Sequence, residues 1–172
     1  MSSVFDSRVK LAIQAVRHYL STGYKLPCPA KLSDELKVRA GAFVSIKKDE
    51  KLRGCIGSIF PQTDHLAEEI IQNAINAAIR DPRFSPVTQK ELPDLNFSVD
   101  VLTQPEMVKS QSDLNHKRFG IILKCGKKQG VLLPNLQGIE SVEAQIQACQ
   151  KKAGIKPDDS TKIFRFESKR YY

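Results

Sequence analysis

The chain has 172 residues, of which 41% are hydrophobic and 27% are charged, a composition typical of a water-soluble globular protein with a buried core. No run of about 18 apolar residues is present, which argues against a membrane-spanning helix. Asp6 and Lys10 interrupt the apolar positions near the N-terminus, so a secretory signal is not expected and a cytoplasmic location is.

The net charge is +8, from 27 basic and 19 acidic residues, and this excess favours contact with polyanions. The basic residues are dispersed along the chain, however, with lysine pairs at 47–48, 127–128 and 151–152. Nucleic-acid binding is therefore a weaker prediction than a concentrated basic stripe would support.

Four cysteines are spread along the chain without a C-x-x-C pair. They are Cys28, Cys55, Cys125 and Cys149. This spacing is typical neither of a zinc site nor of a secreted disulfide scaffold, so we expect reduced thiols, most of them buried, and no metal or cofactor.

Residues 6–22 predict the first helix, because apolar side chains recur there at helical spacing. Asp6 or Ser7 is suited to begin this helix, and Gly23 is suited to end it. The segment that follows, 23–40, contains two prolines and is expected to be irregular and extended.

A hairpin is predicted over 40–60, the sequence AGAFVSIKKDEKLRGCIGSIF. Its turn falls in KKDEK, and its return strand runs from Leu52 to Ile56. Gly54 and Gly57 mark a bulge in that strand or its end.

The clearest helix is predicted over 64–80, where two neighbouring rows of apolar residues form a broad face that must pack on a sheet or on other helices. Thr63 or Asp64 is expected to begin it, and Glu68 and Glu69 are expected near the positive end of its dipole. The proline of the DPRF sequence that follows ends it.

The rest of the chain predicts a strand over 95–105, a second hairpin over 119–135, a helix over 141–155 and a final strand over 162–172. Strands and helices alternate irregularly, and most strand pairs are hairpins. The prediction is an α+β fold with a largely antiparallel sheet packed with helices, plus a smaller lobe.

These segments resemble the AMMECR domain family. The resemblance lies in GAFVSIKKDEKLRGCIGSIFP, LAEEIIQNAINAAIRDPRFSPVTQKEL and, for the prokaryotic branch called AmmeMemoRadiSam system protein A, FSVDVLTQPE, GVLLPNLQGIESVEAQIQACQKKAGI and RFESKR. It implies one domain over 1–172, with a main α+β core and a small subdomain. The family tends to read LDP before the second hairpin, where this chain has Leu114-Asn115-His116, so no role is transferred to His116.

The resemblance also implies two partners, a Memo-like protein and a radical SAM enzyme, but no assigned reaction. Matching motif positions make Cys55 the candidate catalytic residue. The candidate ligand-binding residues are Arg53, Gly54, Gly57, Ser58, Asp81, Arg83 and Phe84. The implied role is an accessory or substrate-handling component, and the alternative is a non-catalytic adaptor or a nucleic-acid-binding module.

Cys55 has two interpretations. The glycines beside it leave the backbone open to a ligand, and Arg53 brings a positive charge close, which suits a reactive thiol. Alternatively, Cys55 fills a small space under the predicted helix, and the glycines permit that helix to approach. No motif links it to a base among His18, His65 and His116.

The two arginines of these motifs also have two interpretations. Arg53 and Arg83 converge as a clamp for a small anionic ligand, since guanidinium groups suit carboxylate and phosphate. In the alternative, DPRF is a helix stop whose arginine pairs with a nearby carboxylate.

Overall fold

The computed structural model describes residues 5–172, and the chain divides into two compact units. The first unit comprises the chain up to Leu102 together with Lys169–Tyr172, and the second comprises Thr103–Ser168. No helix in the described part of the chain is long and apolar enough to cross a membrane.

Three helices belong to the first unit: α1 (Ser7–Thr22), α2 (Asp34–Lys37) and α3 (Leu66–Ile79). Helix α1 confirms its predicted ends. The Asp6 carboxylate accepts a hydrogen bond from the Arg8 backbone N–H, and Gly23 ends the helix at a φ of 78°, which suits glycine.

Helix α3 begins later than predicted. Its N-cap is His65, whose side chain makes no capping hydrogen bond. Thr63 is not the cap because its hydroxyl donates to Glu69, a residue inside the helix. Glu68 and Glu69 lie in the first turn of α3, as predicted, and the carboxylate of Glu69 also anchors the segment before the helix.

Strands β1 (Gly41–Lys48), β2 (Lys51–Ser58) and β3 (Leu95–Leu102) form the sheet of the first unit in the order β2-β1-β3, all antiparallel. The β1–β2 turn consists of Asp49 and Glu50, at φ values of 49° and 60°. Two positive φ values are what a two-residue hairpin with the sheet's own twist requires.

One face of this sheet packs against the helices. The alternating side chains of β1 and β3 pair across the strands as Val44 with Val99 and Ile46 with Phe97, and all four lie in the core with α1 and α3. Because strand side chains alternate, the intervening residues of β1, β2 and β3 project to the opposite face.

The second unit contains β4 (Glu106–Met107), β5 (Phe119–Cys125), β6 (Lys128–Leu132) and helix α4 (Val142–Ala153), with most of β7 (Lys162–Tyr171). Strand β7 pairs with β4 and β5, and β5 pairs with β6, all antiparallel. A second core cluster lies between these strands and α4, formed by Leu114, Ile121, Leu123, Cys149 and Ile155. The architecture confirms the predicted α+β class.

Candidate functional site

Cys55 lies on β2, at the outer edge of the strand order β2-β1-β3. Its neighbour Gly54 faces α3, so the Cys55 side chain projects to the opposite face of the sheet. The thiol is half-buried, and the hydroxyl of Ser45, its register partner on β1, donates a hydrogen bond to its sulfur at 3.2 Å. Ser45 pairs in turn with Ser98 on β3, so the three side chains form a row across this face.

The DPRF segment holds the backbone of Cys55 from the open side of the strand. The Asp81 carboxylate accepts a hydrogen bond from the Cys55 N–H at 2.9 Å, and the Arg83 guanidinium donates to the Cys55 carbonyl at 3.3 Å. Both backbone groups would otherwise be available to a neighbouring strand. Asp81 and Arg83 therefore close the sheet edge at the position of the cysteine.

Asp81 and Arg83 also bind each other. The carboxylate accepts from Arg83 Nε at 3.0 Å, from its terminal guanidinium nitrogen at 2.8 Å and from its backbone N–H at 3.1 Å. The Asp81 side chain is 2% exposed, so its charge is satisfied by these donors rather than by bulk water. The Arg83 hydrogen bonds hold the pKa of the Asp81 carboxyl well below its usual range, against the effect of burial.

Arg53 occupies a bulge in β2, because the register passes from the Ile46–Gly54 pair directly to the Lys47–Leu52 pair. Its guanidinium donates to both carboxylate oxygens of Glu91, at 3.0 and 3.3 Å, and to the Ser85 carbonyl at 2.8 Å.

Glu91 belongs to a short 3₁₀ helix, Gln89–Asp94, and also accepts from the Thr88 N–H at 2.9 Å. The Arg53 hydrogen bonds, with those of Thr88, lower the pKa of Glu91 to about 2. The two motif arginines thus bind two different carboxylates, and each is used to fix a loop against the strand.

The glycines beside Cys55 are closely packed. A Cβ atom on Gly54 would overlap the Ala77 carbonyl of α3, and a Cβ atom on Gly57 would overlap the Phe43 ring. Gly54 therefore lets the helix approach the strand. Phe84, the last DPRF residue, is half-buried, with the Arg83 guanidinium 5.5 Å from its ring centre.

Ser58 belongs to a buried polar cluster that is not predicted from the sequence. Its hydroxyl donates to Glu69, which is 2% exposed and also accepts from the Gln62 and Thr63 backbone N–H groups at 2.9 and 3.2 Å. Asn73 joins the cluster and donates to the Ala42 carbonyl at 3.0 Å. The available signal was the position of Glu69 on the apolar side of the helix, one turn from Leu66 and Asn73.

A hollow of about 260 Å³ opens on the first unit. Its lining residues include Lys47, Glu50, Asn96, Ser98, Arg170 and Tyr172. Arg170 binds Asp100 through two hydrogen bonds of 2.9 Å, which hold the pKa of the arginine above its usual value. Ser98 belongs both to this hollow and to the row that contains Cys55.

The other cysteines and the histidines lie in different surroundings. Cys28 and Cys125 are half-buried and only Cys149 is buried, so the expectation that most thiols are buried was wrong. His65 bonds through Nδ1 to the Lys37 carbonyl at 3.1 Å. Among residues 5–172, no group of three His, Cys, Asp or Glu side chains is placed to hold a metal ion.

Comparison with known proteins identifies the family. The AMMECR1 family model matches residues 9–171. This chain belongs to the AMMECR1 family. The match includes the edge strand with its cysteine, the DPRF segment and all of the second unit, so it spans both units.

Relatives from bacteria and archaea share the domain. A protein of Thermotoga maritima is 44% identical over 166 residues, which cover 95% of each chain. A protein of Clostridium acetobutylicum is 45% identical over 163 residues, which cover 94% of this chain but only 35% of the relative. The AMMECR1-family chain thus spans about a third of that relative's length.

A solved structure has the same fold. The crystal structure of the uncharacterized protein PH0010 from Pyrococcus horikoshii matches with a TM-score of 0.86 and 32% sequence identity, and the match covers 95% of this chain and 88% of that one. These relatives are themselves uncharacterised, so they give this chain a family and a fold rather than a reaction.

Proposed function

We propose that this AMMECR1-family protein is an accessory, substrate-handling component of the AmmeMemoRadiSam type, which works with a Memo-like protein and a radical SAM enzyme. In this proposal Cys55 contacts or reacts with the substrate. The observation that supports it best is the way Cys55 is held: the Asp81–Arg83 pair binds both its backbone N–H and its backbone carbonyl, while the residue itself is only half-buried.

The surroundings of the sulfur suit a reacting group. The Ser45 hydroxyl donates to it, and such a donor stabilises a thiolate, the form of cysteine that attacks electrophiles. Hydrogen bonds from β1 on one side and from the Asp81–Arg83 pair on the other hold the strand in place, which avoids a reorganisation cost during reaction.

The hollow beside Ser98 offers room for the substrate. Ser98 is two strands from Cys55, a separation of about 10 Å that a small molecule spans. We assign a small anionic ligand to this hollow rather than to Arg53 and Arg83, whose charges are matched by carboxylates. Lys47 lines the hollow and forms no salt bridge within residues 5–172, so its charge is available to an anion.

The partner part of the proposal rests on the family resemblance and on the Clostridium relative. In that protein the same domain accounts for only about a third of the chain. A domain that makes up nearly all of the Thermotoga relative and only part of the Clostridium one is suited to act together with another polypeptide.

Site-resolved alkylation tests the role of Cys55. Native protein at neutral pH is treated with iodoacetamide, and the rate at each cysteine is read by mass spectrometry. We expect Cys55 to react faster in the native protein than in the unfolded one, and faster than Cys28 and Cys149, because burial raises the pKa of those two thiols. If Cys55 is alkylated no faster in the native protein than in the unfolded one, it is not a reactive thiol and that part of the proposal fails.

The preference of the hollow for an anion is measured separately, with two alkylating reagents of different charge. Iodoacetate carries a negative charge that iodoacetamide lacks, so the ratio of their rates at Cys55 reports on nearby cations. We expect Lys47→Ala to lower the iodoacetate rate at Cys55 and to leave the iodoacetamide rate unchanged. Lys51→Ala, in the same hairpin but outside the hollow, is the matched control. If Lys47→Ala and Lys51→Ala change the iodoacetate rate at Cys55 equally, the hollow does not bind an anion.

Co-purification tests the partners. A tagged chain at micromolar concentration should retain the Memo-like protein or the radical SAM enzyme when each is supplied purified. Retention together with an unreactive Cys55 would leave a non-catalytic adaptor as the function. If neither protein is retained, the partner part of the proposal fails even when Cys55 reacts.

A further inference from the structure

Three elements of the second unit meet at one place. The β5–β6 turn, the C-terminus of α4 and the start of β7 are joined there by hydrogen bonds and strand pairing. The Lys128 ammonium donates to the Gly154 carbonyl at 2.6 Å, and Lys152 donates to the Val131 carbonyl at 3.1 Å. The register places Lys124 of β5 directly beside Lys162 of β7.

This convergence gathers seven lysines, which we call the lysine end: Lys124, Lys127, Lys128, Lys151, Lys152, Lys156 and Lys162. All but Lys124 are exposed, and the Lys124 ammonium lies 5.3 Å from the centre of the Phe164 ring. Within residues 5–172 the six exposed lysines form no salt bridge with a carboxylate.

Two aspartates lie in the same stretch of chain, Asp158 and Asp159, and the Asp159 carboxylate accepts from the Lys156 backbone N–H at 2.9 Å. The lysine end therefore contains seven lysines and, between Lys151 and Lys162, two aspartates. The lysine pairs 127–128 and 151–152, which are 23 residues apart in sequence, contribute to one electropositive surface in the fold.

The side chains around the lysine end favour phosphate over protein as its ligand. Lysine is depleted in protein–protein interfaces, which instead bury large apolar anchors. One exposed large apolar side chain, Met107, borders the lysine end, where it lines a hollow together with Lys162. The others of residues 5–172 lie elsewhere: Phe5, Tyr24, Val38, Leu52, Phe60, Leu136 and Tyr172. The lysine end thus presents charge with a single methionine at its border rather than an apolar centre.

We propose that the lysine end binds the phosphate backbone of double-stranded nucleic acid without reading its sequence. Ammonium groups on long side chains act as point charges that suit phosphates, whereas base recognition and binding of single strands need forked or aromatic side chains, and none of the exposed aromatic rings of residues 5–172 lies here. The binding surface is independent of Cys55 and of the role proposed for it.

The test is fluorescence anisotropy with a labelled mixed-sequence DNA duplex of about 20 base pairs, at salt from about 50 to about 200 mM. The variant carries Lys127→Gln, Lys151→Gln and Lys162→Gln, and it keeps Lys128 and Lys152, whose ammonium groups bind backbone carbonyls. The matched control carries Lys31→Gln, Lys51→Gln and Lys90→Gln, exposed lysines of the first unit.

We expect the wild-type affinity to fall roughly a hundredfold or more over that salt range, as about four or five phosphate contacts predict. The lysine-end variant should bind at least about tenfold more weakly at low salt, and its salt slope should be shallower by about 3. The control should retain most of the affinity, although its net charge is changed equally.

Three results would overturn duplex binding at the lysine end. The first is the absence of saturable duplex binding at low salt. The second is equal loss in the two triple variants, which would mean that only net charge matters. The third is binding of poly-glutamate in preference to the duplex, which would assign the lysine end to an acidic protein. Unequal affinities for unrelated duplex sequences would contradict the absence of sequence reading.

Discussion

The cations beside Cys55 and those of the lysine end have the same sign but different surroundings. Arg53 and Arg83 each bind a carboxylate through two or more hydrogen bonds, and both also bind backbone carbonyls. The exposed lysines of the lysine end have no carboxylate partner in the described part of the chain. One set of charges holds the fold, and the other is available to a ligand.

This difference shows that the local sequence does not reveal whether a basic side chain is paired within the protein or is available to a ligand. The arginines lie in compact motifs that suggest an anion clamp, yet their charge is used within the protein. The lysines are scattered in sequence, yet the fold gathers them. Substitutions test the two halves of this comparison, and those at Gly54, Asp81 and Arg53 have a control at the lysine end or on the same strand.

Gly54→Ala should have the largest effect on stability. A Cβ atom there would overlap the Ala77 carbonyl, and a backbone atom of a packed helix has little freedom to move. We expect a loss of about 3 kcal/mol in the free energy of unfolding, measured by chemical denaturation. Leu52→Ala, at a 41% exposed position on the same strand, should lose less than about 1 kcal/mol. Similar losses in the two variants would contradict the close approach.

Asp81→Ala should destabilise by about 2–3 kcal/mol, because it leaves the Cys55 N–H without its acceptor and Arg83 without its carboxylate. The control is Asp158→Ala at the lysine end, which is exposed and should change stability by less than about 0.5 kcal/mol. If Asp81→Ala and Asp158→Ala lower the free energy of unfolding equally, the closure of the sheet edge by Asp81 does not stabilise the fold.

Arg53→Lys should destabilise by about 1–2 kcal/mol although it keeps the charge, because an ammonium group cannot reproduce two parallel hydrogen bonds to Glu91 together with one to Ser85. The reverse exchange at the lysine end, Lys162→Arg, should leave the unfolding free energy within about 0.5 kcal/mol. A tolerated Arg53→Lys would mean that only charge matters at this bulge.

The smallest effect is expected at low pH. The pKa of Glu91 is lowered to about 2, so its contribution is complete above the unfolded value near 4.3 and is lost as the pH falls towards 2. The difference in unfolding free energy between wild type and Glu91→Gln should therefore shrink by about 1 kcal/mol between pH 5 and pH 3. A difference that stays constant, or grows, over this range would contradict the Arg53–Glu91 contact.

Much of the local structure was predictable from the sequence. Helix α1 has its cap, its apolar face and its terminal glycine within one segment, and the first hairpin has its turn between two alternating strands. The start of α3 was missed because Thr63 bonds to Glu69 rather than to the helix N-terminus. Side-chain partnerships of that kind leave no periodic signal.

The site was less predictable because its contacts join distant residues. Arg53 and Glu91 are 38 positions apart, and Cys55 and Asp81 are 26 apart. The motifs identified the residues that meet at the sheet edge, but not that the arginines would be matched by carboxylates. Likewise, only the fold shows that the lysines of β5, α4 and β7 share one end.

Hydrogen exchange at the Cys55 amide measures most directly whether charge beside the cysteine is committed to the fold. We expect slow exchange, comparable with that of amides in the central strand β1, although β2 is at the outer edge of its sheet. In Asp81→Ala this protection should be lost at Cys55 while the β1 amides keep theirs. Rapid exchange of the Cys55 amide in the wild-type protein, or protection that survives Asp81→Ala, would mean that the Asp81–Arg83 pair does not close the sheet edge.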